Sequence, residues 1–176
     1  MASTSRDPAV RFLQIGYQPS DWVAIFLRAY DTGRTAQHLG PLLQLCERRW
    51  QTWLSAMAYH HFNVYVTVNA LVPHARDRTR ASVAAIRHVF LDADREGSLV
   101  LAAIGARRDV PPPSYVLHTS PDHVHVFWRV SGFSPDAVER LQKHLARELG
   151  TDPAATPCTQ TTRLPGFLNL KYNPTN

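Results

Sequence analysis

Val89-Phe90-Leu91-Asp92-Ala93-Asp94, an apolar run that ends in two carboxylates near the middle of the chain, decides the fold. Such a run predicts a buried strand that ends where its side chains become acidic. Because successive side chains of a strand point to opposite faces, we expect Asp92 and Asp94 on the same face, roughly 7 Å apart. Two like charges at that separation repel each other, and a pair of divalent cations would remove the repulsion. Taken alone, the stretch is equally typical of a strand end that enters a solvated loop.

Composition limits the class of protein. The chain has 176 residues, 44% of them hydrophobic and 19% charged, which is enough for one ordinary core and excludes a disordered chain. A net charge of +5 favours a polyanionic partner. The first residues are polar, unlike a signal peptide, and no stretch approaches the roughly 20 apolar residues of a membrane span. We therefore expect a cytoplasmic protein with no membrane partner.

Upstream of the acidic stretch, the pattern predicts two helices and a strand. A capped amphipathic helix is expected from Ser20 to Gly33, and a second helix from Pro41 to Tyr59. Alternation of apolar and polar residues predicts a half-buried strand from Phe62 to Asn69. The next segment carries Arg76, Arg78 and Arg80, which belong either to a solvated loop or to a loop that contacts phosphates.

Around and after the acidic stretch, the pattern predicts helices that flank a hairpin. The helical segments are expected at residues 82–88, 96–108 and 134–149. The hairpin is expected to pair residues 114–118 with residues 123–130 around a turn at 119–122. In its second strand, Val124, Val126 and Trp128 would face the core. The opposite face, with His123, His125 and Phe127, would then be presented to a ligand.

The order of these parts resembles the archaeo-eukaryotic primase superfamily, and most closely its RepB-like plasmid replication branch. The strand ending in Asp92 and Asp94 is similar to the first motif of that superfamily, and Ser120 with His125 is similar to the second. The third acid falls on Asp152, although it follows Thr151 rather than an apolar residue. The resemblance implies an α+β fold, a primase-type catalytic domain with an RRM-like antiparallel sheet and flanking helices. Residues 1–80 would form an N-terminal α/β portion and residues 81–176 the RRM-like catalytic portion.

The resemblance also implies roles for individual residues. Nucleotidyl transfer needs one metal ion to acidify the attacking 3′-hydroxyl and another to neutralise the triphosphate, so Asp92, Asp94 and Asp152 would hold two Mg²⁺ or Mn²⁺ ions. His125 would contact the triphosphate as a catalytic residue. The remaining nucleotide-binding candidates are Ser120, Arg163, Asn169 and Lys171, and the template-binding candidates are Arg76, Arg78 and Arg80.

The implied function is a DNA primase or primase-polymerase. It would synthesise short primers on a single-stranded DNA template from NTPs or dNTPs, in the replication of a plasmid, phage or other mobile element. A replicative helicase, or a fused helical or helicase domain, would be a further partner.

Two other hypotheses remain open at this point. His123-Val124-His125 could be the paired-histidine motif of a rolling-circle replication nuclease, although the sequence has no compelling nucleophilic tyrosine after the hairpin. A non-catalytic module could instead bind single-stranded nucleic acid by stacking bases on Tyr65, Phe127 or Trp128.

Overall fold

The structure is a computed structural model that describes residues 7–172. Its helices are α1 (Pro8–Gly16), α2 (Leu42–Leu45), α3 (Arg48–Tyr59), α4 (Gly97–Ala106) and α5 (Pro135–Leu149). Its strands are β1 (Trp22–Ala29), β2 (Thr35–Pro41), β3 (Phe62–Thr67), β4 (Ala70–Leu71), β5 (Val83–Ala85), β6 (His88–Ala93), β7 (Tyr115–Ser120), β8 (His123–Arg129) and β9 (Thr161–Arg163). Three short 3₁₀ helices lie at Arg80–Ser82, Pro153–Ala155 and Leu170–Tyr172.

The strands form two antiparallel sheets. The first sheet has the order β5-β4-β1-β3-β9. Strands β3 and β4 pair with one edge of β1, and β2 pairs with the opposite edge over residues 22–28 of β1. The second sheet has the order β6-β8-β7. The first sheet takes β5 and β9 from beyond residue 80, so it combines strands from both predicted portions of the chain. The division at residue 80 stays a prediction, and the ends of its two portions, residues 1–6 and 173–176, lie outside the described residues.

Both faces of the second sheet are buried. On one face, Leu91, Val126 and Trp128 pack with helices α4 and α5. On the other face, Phe90 and Phe127 join a core that also contains α1 and the inner face of the first sheet. Phe127 is therefore fully buried, and the expectation that its face of β8 is presented to a ligand is wrong for most of the strand.

The region before the second sheet differs most from expectation. The predicted helix from Ser20 to Gly33 is wrong, because residues 22–29 form β1, which pairs with β2, β3 and β4. The sequence of β1 is apolar up to Arg28, because even its half-buried positions carry Trp22 and Phe26, and helical spacing can be found by chance within such a run. Helix α1 was not predicted, although Pro8 occupies its first position and the Asp7 carboxylate accepts a hydrogen bond from Ala9 N at 2.8 Å.

Most other elements agree with the sequence pattern. The strand at β3, the helix α4, the hairpin β7–β8 and the helix α5 fall where they were expected. The helix expected from Pro41 to Tyr59 is interrupted at Cys46 and Glu47, which separate α2 from α3. The helical turn expected at residues 82–88 is wrong, since only a 3₁₀ turn precedes β5 there. Within residues 7–172, no helix combines the length and apolar character needed to cross a membrane.

Candidate active site

The acidic end of β6 lies against the histidines of β8. Antiparallel pairing sets Asp92 directly opposite His125, and the Asp92 Oδ1 atom lies 3.3 Å from His125 Nε2. One step further along the same face, Asp94 Oδ1 lies 3.6 Å from His123 Nδ1. Asp92 and Asp94 thus emerge on one face, as their spacing predicted. Asp94 is about two-thirds exposed, whereas Asp92 is mostly shielded from solvent.

The His125 ring is fixed by the first sheet. Its Nδ1 atom lies 2.7 Å from the Thr162 hydroxyl of β9, and its edge packs against the Phe90 ring. Thr162 is fully buried, so its side chain cannot move away without disturbing the core. The Nε2 atom of His125 is consequently held toward Asp92. Thr162 is not among the site residues predicted from sequence, and only its position next to Arg163 could have pointed to it.

The third acid, Asp152, lies beside the end of β6. Its backbone N–H donates to the Asp92 carbonyl oxygen at 3.0 Å. The segment is tied to β6 by the buried Gln142 side chain of α5, which accepts from Phe90 N and donates to the Thr156 carbonyl. The Asp152 carboxylate accepts a hydrogen bond from Ala154 N at 2.8 Å and so caps the short helix that follows. The backbone therefore brings Asp152 to the site while its carboxylate is engaged elsewhere.

Asp94 and Asp152 line a cleft of about 540 Å³ between the β6–α4 connection and the loop after α5. The connection is tightly packed, because Gly97 N donates to the Asp122 carbonyl of the β7–β8 turn and a Cβ at residue 97 would lie 2.9 Å from that oxygen. Glu96 adopts a left-handed φ of 52° to reach this geometry. Two of the three predicted metal ligands therefore line the same cleft.

One buried atom indicates what the acidic site can accept. Asp92 Oδ1 is buried and has no hydrogen-bond partner among residues 7–172, since the nearby His125 Nε2 is close enough but not aligned for a hydrogen bond. A buried carboxylate oxygen without a donor is costly, and a cation removes that cost. Within the described residues, no three His, Cys, Asp or Glu side chains are grouped to hold a metal ion. The carboxylate oxygens are suitable ligands for divalent cations. Asp152 could join Asp92 and Asp94 as a ligand only if its carboxylate turned away from Ala154 N.

The expected nucleotide-binding residues separate into two groups. Ser120 ends β7 opposite His123, and its hydroxyl is buried without a hydrogen-bond partner in the described part of the chain. Asn169 donates to the Thr119 carbonyl at 2.9 Å and accepts from Lys171 N at 3.2 Å, which holds the last segment against the end of β7. These three residues therefore lie around the hairpin.

Arg163 belongs to the second group. Because adjacent residues of a strand face opposite sides, Arg163 points away from the face on which Thr162 meets His125. Its guanidinium lies 4.9 Å from the centre of the Tyr65 ring and donates to Asn63 Oδ1 at 2.8 Å. The structure thus directs Arg163 to the outer face of the first sheet.

The three arginines expected to bind template do not form one cluster. Arg80 is engaged with Asp136 and Glu139 of α5. Arg78 lies 4.4 Å above the Phe26 ring on the outer face of the first sheet. Arg76 is exposed in the same loop, which follows β4. Of the rings that could stack bases, Phe127 and Trp128 are buried, which leaves Tyr65 half-buried.

Comparison with known families identifies the domain. A model of the RepB DNA-primase N-terminal domain family matches residues 42–176. The chain belongs to this family. A comparison with curated proteins gave no significant match.

Solved structures agree on the fold. The catalytic domain of primase RepB′, determined in complex with initiator DNA, is 20% identical with a TM-score of 0.69, over 94% of this chain and 80% of that one. The structure of primase RepB′ is 19% identical with a TM-score of 0.70, over 95% of this chain and 53% of that one. The AEP domain of the cyanophage S-2L primase-polymerase is 18% identical with a TM-score of 0.69, over 91% and 81% of the two chains.

These comparisons confirm three of the expectations from sequence. The chain is a RepB-like member of the archaeo-eukaryotic primases, and it has their α+β catalytic fold. The family that it matches is one of DNA primases, which agrees with the replication primase expected from sequence. The family match favours the primase hypothesis over the paired-histidine nuclease.

Proposed function

We propose that this domain transfers nucleotides onto a strand templated by single-stranded DNA, using the acids at the end of β6. The observation that carries the proposal is the buried Asp92 Oδ1 atom, which has no hydrogen-bond donor and lies 3.3 Å from His125 Nε2. In a member of a DNA-primase family, an acid in that state is best explained as a ligand for the cations that accompany a nucleoside triphosphate.

Asp92, Asp94 and Asp152 would hold two Mg²⁺ or Mn²⁺ ions through carboxylate oxygens, which are the ligands that such hard cations prefer. The Asp152 carboxylate would exchange its hydrogen bond from Ala154 N for a metal ligand by rotating about its side-chain bonds. Its backbone already lies beside the end of β6, because Asp152 N donates to the Asp92 carbonyl at 3.0 Å. When bound, the ions would acidify the attacking 3′-hydroxyl and neutralise the triphosphate.

His125 would donate a hydrogen bond to a phosphate oxygen of the nucleotide. If the Thr162 hydroxyl donates to Nδ1, the neutral ring carries its proton on Nε2, which faces the site. Ser120 would donate its buried hydroxyl to a phosphate or sugar oxygen. Lys171 and Asn169, held beside the hairpin, would complete the nucleotide-binding side, with either an NTP or a dNTP as substrate.

The test is incorporation of labelled nucleotides on unprimed and on primed single-stranded DNA, with Mg²⁺ or Mn²⁺. Both templates are needed because the chain spans 53% of the length of primase RepB′. The wild-type domain should extend the primed template, and Asp92→Asn combined with Asp94→Asn should reduce synthesis by roughly a thousandfold or more. Asp31→Asn, which changes an exposed acid in a loop after β1, is the matched control and should retain wild-type synthesis.

Two results would overturn the proposal. One is wild-type synthesis by the Asp92→Asn, Asp94→Asn variant. The other is the absence of incorporation by the wild-type domain on both templates with both metals. Binding of Mn²⁺, followed by its electron paramagnetic resonance signal, gives an independent measure and should weaken in the same variant.

The remaining expectations belong to the same proposal. A replicative helicase, or a helical or helicase domain in the same protein, would supply template and would act where primers are made. A cytoplasmic location follows if the domain acts in the replication of a plasmid or phage genome.

A further inference from the structure

The outer face of the first sheet carries a row of side chains that the chemistry at the acids does not use. Cross-strand register aligns one residue from each of four strands: Gln37 on β2, Phe26 on β1, Tyr65 on β3 and Arg163 on β9. Because neighbouring strands are about 4.8 Å apart, this outer row spans roughly 14 Å. All four side chains are at least partly accessible to solvent.

Two arginine side chains lie over the two rings of the outer row. The Arg78 guanidinium lies 4.4 Å from the centre of the Phe26 ring, and that of Arg163 lies 4.9 Å from the centre of the Tyr65 ring. Arg78 is also held by a hydrogen bond to Gln37 at 3.1 Å. The centres of the two rings are 6.0 Å apart. The row therefore presents two arginine–aromatic pairs, each with a guanidinium group over a ring.

The charge on this face has one sign. Within the described residues, none of the six strands of the first sheet contains an acidic residue. Arg28 follows Phe26 on the same face of β1 and is exposed. The acid nearest in sequence to Arg78, Asp77, accepts hydrogen bonds from Thr79 and Ser82. A cationic surface with no acid on its strands is complementary in charge to a polyanion. Its rings and guanidinium groups suit a polyanion that also carries flat apolar groups.

We propose that the outer row binds single-stranded DNA, with bases stacked on its arginine–aromatic pairs and with phosphates paired to Arg28 and Arg163. Unpaired bases stack on aromatic rings and on guanidinium planes with little regard to sequence, which suits a template strand of any sequence. This inference rests on the proposed function, because it assigns the surface that holds the template for that same reaction.

The row is also connected to the acidic site. Its last member, Arg163, belongs to β9, and the preceding residue of that strand, Thr162, holds His125 from the opposite face. A DNA strand that crosses the row from β2 to β9 would thus leave the sheet at the β-strand whose opposite face contacts His125.

The test is equilibrium binding of a fluorescently labelled oligothymidylate, followed by anisotropy. Phe26→Leu combined with Tyr65→Leu keeps apolar volume and removes both rings. We expect this variant to bind at least roughly tenfold more weakly, the size of the stacking contribution of one or two bases. Tyr59→Leu combined with Phe133→Leu removes two exposed rings, one at the end of α3 and one before α5, and is the matched control, which should bind as the wild type does. Binding to a duplex of the same length should be unaffected by either pair, because paired bases cannot stack on the row.

A second pair of variants tests the row without changing its rings. Arg28→Gln and Arg163→Gln should each lower the slope of the logarithm of affinity against the logarithm of salt concentration by about 0.7, the contribution of one phosphate contact on single-stranded DNA. Equal weakening in the control pair, unchanged binding in both the ring and arginine variants, or no measurable binding by the wild-type domain would overturn the inference.

Binding and synthesis separate the two proposals. If the wild-type domain synthesises DNA while the ring variant and its control bind the oligothymidylate equally, the outer row is not the template surface and the proposed function stands. If the ring variant binds more weakly but the Asp92→Asn, Asp94→Asn variant synthesises as the wild type does, the row is supported and the assignment of the acids fails.

Discussion

His88 begins β6, the strand that ends in Asp92, and its imidazole is fully buried. Its Nδ1 atom lies 2.7 Å from the Val68 carbonyl oxygen, which can only accept, so Nδ1 carries the proton. The other ring nitrogen then accepts from the Tyr115 hydroxyl. The neutral ring is satisfied on both sides, and protonation would place an additional charge inside the core. Burial accordingly lowers the pKa of His88 from its ordinary 6.5 to about 4.

The effect on stability follows from the difference between these two pKa values. Above about pH 6.5 the imidazole is neutral in both the folded and the unfolded chain, so His88 does not lower the free energy of unfolding. As the pH falls below that value, the unfolded chain takes up a proton that the folded chain refuses until about pH 4. The free energy of unfolding therefore decreases by about 2 kcal/mol at about pH 5 and by about 3 kcal/mol in total.

Urea unfolding at about pH 7.5 and about pH 5 measures this loss. His88→Asn keeps a side-chain N–H for the Val68 carbonyl and cannot titrate, so the stability difference between wild type and this variant should shrink by about 2 kcal/mol at the lower pH. His118→Asn removes an exposed imidazole and should leave the pH dependence of unfolding as in the wild type. A stability difference between wild type and His88→Asn that is the same at both pH values would refute the argument.

Two further substitutions test the packing around the site. Gly97→Ala should lower the free energy of unfolding by about 1–3 kcal/mol, because its Cβ would lie 2.9 Å from a carbonyl oxygen of the hairpin turn. Gly105→Ala is the control in the same helix, where an added Cβ meets nothing within 4 Å, and it should raise the free energy of unfolding by about 0.5–1 kcal/mol. Thermal unfolding measures both. Thr162→Val removes the hydroxyl that orients His125, so it should slow nucleotide incorporation roughly tenfold and alter the pH profile of incorporation. Thr161→Val, the control on the same strand, should change neither. Equal effects of the two substitutions would contradict a positioning role for Thr162.

The parts of the fold that could be predicted are those whose sequence pattern has a single interpretation. The hairpin has alternating side chains and a polar turn, and α5 has a serine cap, an early proline and a terminal glycine in a left-handed conformation. The same alternation correctly set Asp92 and Asp94 on one face. Local chemistry was sufficient in these segments because each one has a clear polar side.

The parts that could not be predicted depend on partners distant in sequence. The apolar run of β1 is compatible with a buried helix or a buried strand, and only its pairing with three other strands decides between them. The burial of Phe127 depends on α1, which was not predicted. Thr162 lies in a three-residue strand whose pairing with β3 brings it to His125, and a strand so short has no recognisable period.

The register of β9 decides which of two adjacent residues contacts His125 and which belongs to the outer row. A slip of one residue would turn Arg163 toward His125 and Thr162 outward. The register is fixed against β3 at both ends of the strand, since Leu164 N donates to the Val64 carbonyl at 3.0 Å and Val68 N donates to the Gln160 carbonyl at 2.8 Å. Leu164 is also fully buried in the core shared by the two sheets, so a slip would expose a large apolar side chain. The contact that Thr162 makes with His125 and the outward direction of Arg163 thus depend on a register that one buried leucine helps to fix.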